Sequence, residues 1–566
     1  MSDSPGDGLH SYALIWAMQQ ALILHASGLA YSLQSALVAA TVLTSAWPPM
    51  LCCALAARVH ANLMPWPHGW ESHYWCATTD LTLLLALVAH MAKHGSLSLL
   101  PGEARSAALY DASRVSRYQV GFYYLSAALF KFNTSFLDHR YSCASPYVAQ
   151  LLTAYLPQAL ATPANLEPFL IVAPAHVLVG ELLLSFALLR AAAGRGGGAA
   201  ALFGVSLALL LHLGIALTPP PNNIGAFSVI MACRLAHFAH PHALARALRP
   251  RTTAAGHVGT AATLAIAAVA TAATSAATAG SAADGAAGQM SIMFFAGVDW
   301  SVPTFVLMAA VVLRAVATPV AQHEHERRLD ETLSSAVFAK VLRPAMLLVA
   351  FVHSFVGPPS GLQDLGGSNM YSNLRTLGGG NHYFLPTNLL RLSGGVVRVE
   401  ACNSTSLNAL YPGEISSAFH PRAAEALKAS GHSGRQWNWG MGRVLGAWAL
   451  PPPPPDGPFV RYTVPSLQLR RMLEEVRASG EAFALEYTEL DGAFGDEQWR
   501  IGSAGARRVR VSSERGCVVL SEEGAPPCGD DALANRPLRP WERALGAWSP
   551  HPIVEDMAEE MHCFGP

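Results

Sequence analysis

Long apolar segments recur along roughly the first 360 residues, and they limit the folds that this chain can adopt. A helix that crosses a membrane needs about 20 mostly apolar residues, and ten segments approach that length. Charged residues make up 13% of the chain, against about 25% in soluble domains, and the deficit lies in this part of the sequence. The segments centre on 11–33, 35–58, 78–92, 116–133, 167–190, 197–217, 224–239, 257–278, 302–318 and 337–357.

The fold class that this pattern predicts is mainly α, a bundle of about eight to ten transmembrane helices over residues 1–360. The number is open because several segments are short and because the Ala- and Thr-rich segment 257–278 fits either a helix or a linker. Basic residues concentrate in connections that share one side of the membrane if the helices alternate in direction, which predicts that this side is cytosolic. These connections are 93–117, 190–195, 234–251 and 314–343.

After residue 360 the pattern changes to short alternating and amphipathic segments. Four stretches alternate apolar and polar residues as β-strands do, namely "GGVVRVEA", "EAFALEYTEL", "ARRVRVSS" and "GCVVLSEE". The stretch "PSLQLRRMLEEVRASG" predicts an amphipathic helix that ends at its glycine. We predict a small lumenal or extracellular α+β domain over residues 361–566, in a protein of the endoplasmic reticulum or another secretory membrane. This domain contains no P-loop, GxSxG or HExxH motif, which argues against a separate enzyme there.

Charge and metal-ligand patterns exclude two classes of partner. The net charge is −1 and no basic stripe is present, so we predict no nucleic-acid partner. The stretch "HEHERR" at 323–328 resembles a metal site, but His323 and His325 do not share a helix face, and a solvated loop is the favoured interpretation. No CxxC motif occurs, so the sequence predicts no metal.

The nine cysteines divide into two groups by their surroundings. Cysteines in or near apolar segments are predicted to be free thiols that pack as small hydrophobic side chains; these are Cys52, Cys53, Cys76, Cys143 and Cys233. The others lie in the polar C-terminal part, where an oxidising compartment would allow two disulfides; these are Cys402, Cys517, Cys528 and Cys563.

Lys131 is an unusual residue for this chain. It lies near the end of the apolar stretch "YYLSAALFKFNTSFL", and only four of the 37 basic residues are lysines. A lysine amine can lose its proton, whereas a guanidinium cannot. One interpretation is a lysine at a helix end that snorkels to the headgroups. The other is a partly desolvated amine that acts as a general base.

A second cluster, "MPWPHGWESHYWCATTDLTLLL" at 64–85, surrounds His73 with aromatic side chains that include Trp70 and Tyr74. Aromatic residues at this position form either a membrane-interface belt or a binding site. His73 is expected to lie at a depth in the membrane similar to that of Lys131.

Two further stretches place polar groups inside apolar helices. In "APAHVLVGELLLSF", Glu181 must find a partner or lose its charge; a structural hydrogen bond and a catalytic role both fit. In "LHLGIALTPPPNNIGAFSVIM", His212 ends one helix, and Asn223 either caps the next helix or contributes to a site.

These stretches, in this order, resemble the transmembrane domain of vitamin K-dependent gamma-glutamyl carboxylases and of the wider horizontally transferred transmembrane (HTTM) domain superfamily. The resemblance is carried by "WESHYW", "YYLSAALFKFNTSFL", "HVLVGELLL" and "HLGIALTPPPNNIGAFSVIM", and it continues in "FVHSFVGPPSGLQDLGGSNMYSNLR". It covers roughly residues 10–385.

The resemblance implies quinol-dependent carboxylation of glutamate. Lys131 would deprotonate vitamin K hydroquinone, and oxygen would turn the quinol into a base strong enough to remove a γ-proton from a peptide glutamate, which then takes up CO2. His73 would assist the carboxylation step. The expected cofactor is reduced vitamin K or another quinol, the expected partners are membrane lipid and a peptide, and the candidate cofactor-binding residues are Trp70, Tyr74, His212 and Asn223.

The sequence departs from the family at Phe130 and Asn133, which flank the base, and in the lumenal region that grips the carboxylase's peptide. The alternative hypothesis is therefore a non-catalytic membrane protein of the same type that binds lipid or quinone.

Overall fold

The described part of the chain folds into a helical bundle followed by a smaller region with β-sheets. The structure is a computed structural model, and it describes residues 8–26, 32–44, 47–64, 71–95, 102–195, 197–219, 222, 224–248, 301–318, 335–360, 372, 392, 394–416, 419–438, 459–490, 506–514, 516–520, 527–529, 532–545, 551–552 and 563–565. The mainly helical class with a small C-terminal sheet is thereby confirmed, whereas the membrane bundle of eight to ten spans stays a prediction.

Besides a short 3₁₀ helix, Ala236–Phe238, the bundle contains fourteen described helices. They are α1 (Gly8–Ala26), α2 (Leu33–Leu43), α3 (Pro48–Leu63), α4 (Glu71–His94), α5 (Gly102–Phe130), α6 (Thr134–Leu137), α7 (Ala144–Tyr155), α8 (Pro163–Ala192), α9 (Gly197–Leu217), α10 (Gly225–Leu235), α11 (Pro241–Leu248), α12 (Ser301–Ala317), α13 (Phe338–Val356) and α14 (Gly357–Ser360). Helix α13 begins and ends with π-helical turns, Phe338–Leu342 and Val352–Val356.

Four described helices are long and apolar enough to cross a membrane by length and composition: α4, α8, α9 and α13. Helix α5 differs from the prediction of a span over 116–133, because it already begins at Gly102 and is buried along most of its length. Part of the predicted polar connection 93–117 is therefore packed helix. The segment 257–278 lies outside the described residues.

One large apolar core joins the helices. Side chains from α1, α4, α5, α9, α10 and α12 contribute to a single buried cluster that contains Trp16, Leu87, Val115, Val205 and Phe305. Helix α5 lies against α4 and α8, and α8 in turn lies against α7 and α9. The end of α5 is therefore surrounded by α7, α8 and α9.

The described part of the C-terminal region forms two sheets and three α-helices. The strands are β1 (Val396–Cys402), β2 (Gly413–Glu414), β3 (Gln436–Asn438), β4 (Tyr462–Pro465), β5 (Ala484–Leu490), β6 (Arg508–Ser512), β7 (Gly516–Val519), β8 (His551–Pro552) and β9 (Cys563–Gly565), and the helices are α15 (Pro421–Ala429), α16 (Ser466–Ser479) and α17 (Pro540–Arg543). Six strands pair in the order β7-β6-β5-β1-β4-β8, and β2-β3-β9 form a second sheet.

The six-stranded sheet buries the apolar half of its alternating residues. Val397 and Val399 of β1 share a core with Tyr487 of β5 and Val509 of β6, and helix α16 adds Leu473 to this core. The arginines of β1 and β6 and Glu486 of β5 lie on the opposite face, because side chains alternate along a strand.

The predicted end of α16 is confirmed. Gly480 has a φ of 71°, the left-handed conformation that glycine adopts readily at a helix C-terminus.

Two disulfides are present, and only one of them joins two of the expected C-terminal cysteines. Cys517 pairs with Cys528, but Cys563 pairs with Cys143 in the segment before α7. The prediction that Cys143 is a free thiol is therefore wrong, and Cys402, expected in a disulfide, is free. The apolar sequence around Cys143 did not predict this disulfide, because the partner cysteine comes from a distant part of the chain. In the fold, Cys143 is buried beneath the C-terminal region.

Other contacts attach the C-terminal region to the same end of the bundle. The amide of Ser433 donates to the carbonyl of Arg140 at 2.8 Å, and α15 packs its apolar face on α7 and α8. The side-chain amide of Asn222 donates to Gln436 Oε1 at 2.9 Å. The C-terminal region thus lies over the end of the bundle at which α5 ends.

Candidate functional site

Lys131 follows the last residue of α5 and points into the bundle. Its side chain is 7% exposed, and its Nζ lies 2.9 Å from Oε2 of Glu181 on α8. Nζ also donates to the carbonyl of Ala127 at 3.3 Å and lies 5.8 Å from the centre of the Phe136 ring. The amine is therefore buried and paired, and the snorkelling interpretation is wrong.

The two members of this pair line a cavity of about 210 Å³. The cavity lies between α5, α7, α8 and α9, and most of its wall is apolar. Its polar side chains are Tyr123, Tyr124, Lys131, Tyr147, Glu181, His212 and Thr218, and its other lining residues are Ala127, Phe136, Cys143, Ala144, Val148, Leu151, Val177, Leu211, Gly214, Ile215, Ile224 and Phe227.

A second polar pair lies in the cavity wall. Tyr124 Oη and His212 Nε2 are 2.6 Å apart, and His212 is 1% exposed. Nδ1 of His212 is buried without a hydrogen-bond partner among the described residues. The cavity therefore offers two separate polar positions, one at Lys131 and Glu181 and one at Tyr124 and His212.

Two of the remaining candidate residues, His73 and Tyr74, lie outside the cavity wall. His73 is half-buried in the first turn of α4, and Tyr74 is buried with its ring 5.8 Å from that of His353 on α13. Neither His73 nor Tyr74 is among the residues that line the cavity. Trp70 and Asn223 lie outside the described residues. The assisting role of His73 stays a prediction.

Sequence reasoning missed Glu71, which begins α4. This residue is 3% exposed, interacts electrostatically with Lys131 and Tyr123, and keeps Oε1 without a hydrogen-bond partner among the described residues. The available signal was a carboxylate inside the aromatic stretch "GWESHYW", directly before an apolar helix. Lys131 therefore has two carboxylates near it, although only Glu181 contacts it.

A second buried ion pair lies away from the cavity. Nη1 of Arg234 on α10 is 2.7 Å from Oδ1 of Asp80 on α4, and both side chains are almost fully buried. The indole N–H of Trp16 donates to the same oxygen at 3.2 Å, and Nη1 lies 3.3 Å from the hydroxyl of Tyr12. None of these four residues lines the 210 Å³ cavity.

No group of three or more His, Cys, Asp or Glu residues that can hold a metal ion is present in the part of the chain that the structure describes. The "HEHERR" stretch lies outside that part.

Comparison with known proteins finds similarity in the C-terminal region. A family model described as a domain of unknown function (DUF8388) matches residues 380–543. The matched stretch contains β1 to β7 and lies outside the helical bundle and its cavity. No curated protein and no solved structure matches the chain.

Proposed function

We propose that this chain is a multi-pass membrane protein whose cavity binds a hydroquinone and removes a proton from it with Lys131 and Glu181. The observation that carries this proposal is the buried Lys131–Glu181 pair in the wall of an otherwise apolar cavity. By the resemblance to vitamin K-dependent carboxylases, the reaction is quinol-dependent carboxylation of a peptide glutamate.

The size and chemistry of the cavity fit an aromatic diol. An apolar cavity of about 150 Å³ holds benzene, so about 210 Å³ admits a somewhat larger ring system. Two polar pairs in its wall provide hydrogen-bonding groups for hydroxyls on such a ring. A bound hydroquinone would supply the strong base by its reaction with oxygen, which is why a site shielded from water is needed.

Lys131 can serve as a base because Glu181 can hold its proton. A charged pair in apolar surroundings is costly, whereas proton transfer from the ammonium to the carboxylate leaves two neutral groups. The neutral amine then accepts a proton from a hydroxyl that lies within hydrogen-bond reach. An arginine at this position would keep its proton.

Two features support a membrane location with the cavity end in an oxidising compartment. Large apolar side chains are exposed along α8, α9 and α13, as expected for contact with lipid; they include Phe169, Val179, Leu183, Phe186, Phe203, Leu210 and Leu348. The Cys143–Cys563 disulfide at the end of the bundle near Lys131 fits the lumenal side of a secretory membrane.

The decisive experiment measures incorporation of labelled CO2 by the purified full chain in detergent. It receives reduced vitamin K, oxygen and a Glu-rich peptide, and epoxidation of the quinol is measured in parallel. Lys131→Ala removes the base, and Lys428→Ala is the matched control because Lys428 is exposed on α15. We expect incorporation that is lost only in Lys131→Ala. Epoxidation without CO2 uptake would leave the base chemistry but reject glutamate as the substrate.

The second candidate function is binding of a quinone or lipid without a reaction. It is favoured by the position of His73, the residue expected to assist carboxylation, outside the cavity wall. In that case quinone binds the purified protein. The unmodified protein then incorporates no more labelled CO2 and epoxidises no more quinol than Lys131→Ala does.

A further inference from the structure

We propose that Asn403 carries an N-linked oligosaccharide, attached to its side-chain nitrogen in the lumen of a secretory membrane. This inference rests on the membrane location in the proposed function, but not on its quinol. Three observations support it: the acceptor sequences in the chain, the exposure of their residues in the fold, and the hydrogen bonds of their asparagines.

The sequence contains two N-x-S/T acceptor sequences for N-glycosylation. One is Asn133-Thr134-Ser135, at the start of α6, and the other is Asn403-Ser404-Thr405, directly after β1. An acceptor sequence alone does not identify a glycan, because such a bulky and hydrophilic group also requires an asparagine on the protein surface.

The two acceptor sequences expose opposite residues. In the first, Asn133 and Ser135 are each 2% exposed. In the second, Asn403 and Thr405 are exposed, and only the middle residue, Ser404, is buried. The asparagine that would carry the sugar therefore lies on the surface only in the second sequence.

The side-chain amide of Asn133 is used inside the fold. Its Nδ2 donates to the carbonyls of Phe130 at 2.9 Å and of Ser372 at 2.7 Å. Its Oδ1 accepts a hydrogen bond of 2.8 Å from the N–H of Phe136. A sugar would replace one of the two hydrogens on this nitrogen and would need space that a buried atom does not have. The fold therefore excludes a glycan at Asn133.

The side-chain amide of Asn403 is held only through its oxygen. Oδ1 accepts a hydrogen bond of 2.6 Å from the N–H of Ala484, and the backbone N–H of Asn403 donates to the carbonyl of the same residue at 3.1 Å. Nδ2 makes no hydrogen bond to a residue that the structure describes. The contact with Ala484 therefore fixes the amide and leaves its nitrogen available for the sugar.

The rest of the second acceptor sequence is fixed by Glu481. Oγ of Ser404 donates to Oε1 of Glu481 at 2.9 Å, and the backbone N–H of Thr405 donates to the same oxygen at 2.7 Å. The hydroxyl of Thr405 takes no part in a hydrogen bond with the described residues. Replacement of Thr405 therefore removes the acceptor sequence without removing a side-chain contact of the fold.

The disulfides fit the compartment in which this modification occurs. Cys517 of β7 belongs to the same sheet as β1 and pairs with Cys528, and disulfides persist in oxidising compartments such as the lumen of the endoplasmic reticulum. There a transferase would move the oligosaccharide from a lipid-linked pyrophosphate donor to Asn403. The bond between the anomeric carbon of the first sugar and the pyrophosphate oxygen breaks, and a bond from that carbon to Nδ2 forms. The lipid pyrophosphate leaves with the proton that Nδ2 loses.

The test uses the full chain, produced in cells that have a secretory pathway with this transferase. Its electrophoretic mobility is compared before and after digestion with peptide-N-glycosidase, and mass spectrometry locates the aspartate that the digestion leaves behind. Thr405→Ala removes the second acceptor sequence and keeps Asn403. Thr405→Ser, which keeps that sequence, and Ser135→Ala, which removes the first one, are the matched controls. The Cys517–Cys528 disulfide, measured in each variant, shows that the C-terminal region has folded.

We expect digestion to shift more than half of the unsubstituted chains by the mass of one oligosaccharide and to leave the new aspartate at position 403. The shift should persist in Thr405→Ser and Ser135→Ala and be lost in Thr405→Ala. Absence of a shift in the unsubstituted chain, or a shift that Thr405→Ala leaves unchanged, would overturn the inference.

Protease added to sealed membranes separates failure of this inference from failure of the proposed function. A C-terminal region that is protected but carries no sugar overturns the glycosylation and leaves the lumenal location standing. A C-terminal region that is digested overturns both. Binding of quinol by the same purified chain is measured separately, because it depends on the cavity and not on Asn403.

Discussion

Two buried ion pairs in the same bundle differ in the type of cation and in their position relative to the cavity. Arg234 and Asp80 are held by Tyr12 and Trp16 and lie away from the cavity. Lys131 and Glu181 line the cavity and leave their charged ends next to open space. The pair away from the cavity contains an arginine, whereas the pair in the cavity wall contains one of the chain's four lysines.

Under the proposed function, this difference corresponds to a structural role for the arginine pair and a chemical role for the lysine pair. Arginine keeps its proton under all ordinary conditions and forms a fixed set of hydrogen bonds. A lysine next to a carboxylate can exchange a proton with it. We therefore expect the Arg234–Asp80 pair to govern stability and the Lys131–Glu181 pair to govern activity, and the following changes test that division.

The largest expected effect is that of Asp80→Leu. The change leaves the guanidinium of Arg234 buried without its carboxylate, and breaking a buried pair in this way costs about 3–5 kcal/mol of unfolding free energy. Thermal unfolding in detergent measures the loss. Asp138→Leu is the control, because Asp138 pairs with the exposed Arg140 and surface pairs contribute about 0–1 kcal/mol. Similar losses in both variants would contradict the structural role of Asp80.

Lys131→Arg should affect activity far more than stability. The guanidinium can still pair with Glu181, but it does not give up its proton. We expect turnover of the quinol to fall at least about 100-fold, the range for loss of a general base, without recovery at alkaline pH. The unfolding midpoint should change by only a few degrees. Turnover close to that of the unmodified protein would show that Lys131 is not the base.

Tyr124→Phe should have a smaller effect. It removes the hydroxyl that contacts His212 and leaves a buried polar ring nitrogen without its partner, which costs about 1–3 kcal/mol. Denaturant unfolding measures this loss, with Tyr118→Phe as the control because Tyr118 is only half-buried and lies outside the cavity wall. Equal stabilities of the two variants would contradict a supporting role for the Tyr124–His212 contact.

The smallest expected effect is on the pH dependence of stability, and it comes from a third buried ion pair, in the C-terminal region. Glu542 accepts two hydrogen bonds of 2.9 Å from Arg470. Burial raises the pKa of Glu542, but the hydrogen bonds from Arg470 and from the backbone of Arg539 outweigh it, so the net pKa lies below the ordinary 4.5. Its contribution to stability is therefore present above pH 4.5 and lost as the pH falls through the lowered pKa.

Hydrogen exchange of the α16 backbone measures this loss. After correction for intrinsic rates, exchange should become faster as the pH falls below about 5. Arg470→Gln should flatten the pH dependence of the exchange. An unchanged dependence in that variant would show that other carboxylates cause it.

Local features of the fold were predictable because short-range patterns determine them. The alternation in "EAFALEYTEL" became β5, and the glycine after "RMLEEVRAS" became the left-handed end of α16. The length of α5 was not predictable, since Arg114 and Arg117 suggested a solvated connection. In the structure, Arg117 instead donates to the carbonyl of His237, 120 residues away, at 2.7 Å.

The site was predictable only where a short-range pattern marked a residue. A glutamate inside an apolar helix needs a partner, which marked Glu181, but its pairing with Lys131 depends on how α5 and α8 pack. The disulfide of Cys143 likewise depends on a contact with a distant part of the chain. Glu71 and Tyr124 were missed because each looked like an ordinary residue of an aromatic stretch until the helices brought it near Lys131 or His212.

The disulfide between Cys143 and Cys563 spans 420 residues, and it has a consequence for biosynthesis. Ribosomes add roughly 5–20 residues per second, so roughly 20 s or more pass between synthesis of the two cysteines. During that interval α7, which lines the cavity, exists without its cross-link. The wall that α7 contributes to the cavity is therefore cross-linked only after the C-terminal region has been made, and a chain in which that region misfolds keeps a free Cys143 thiol.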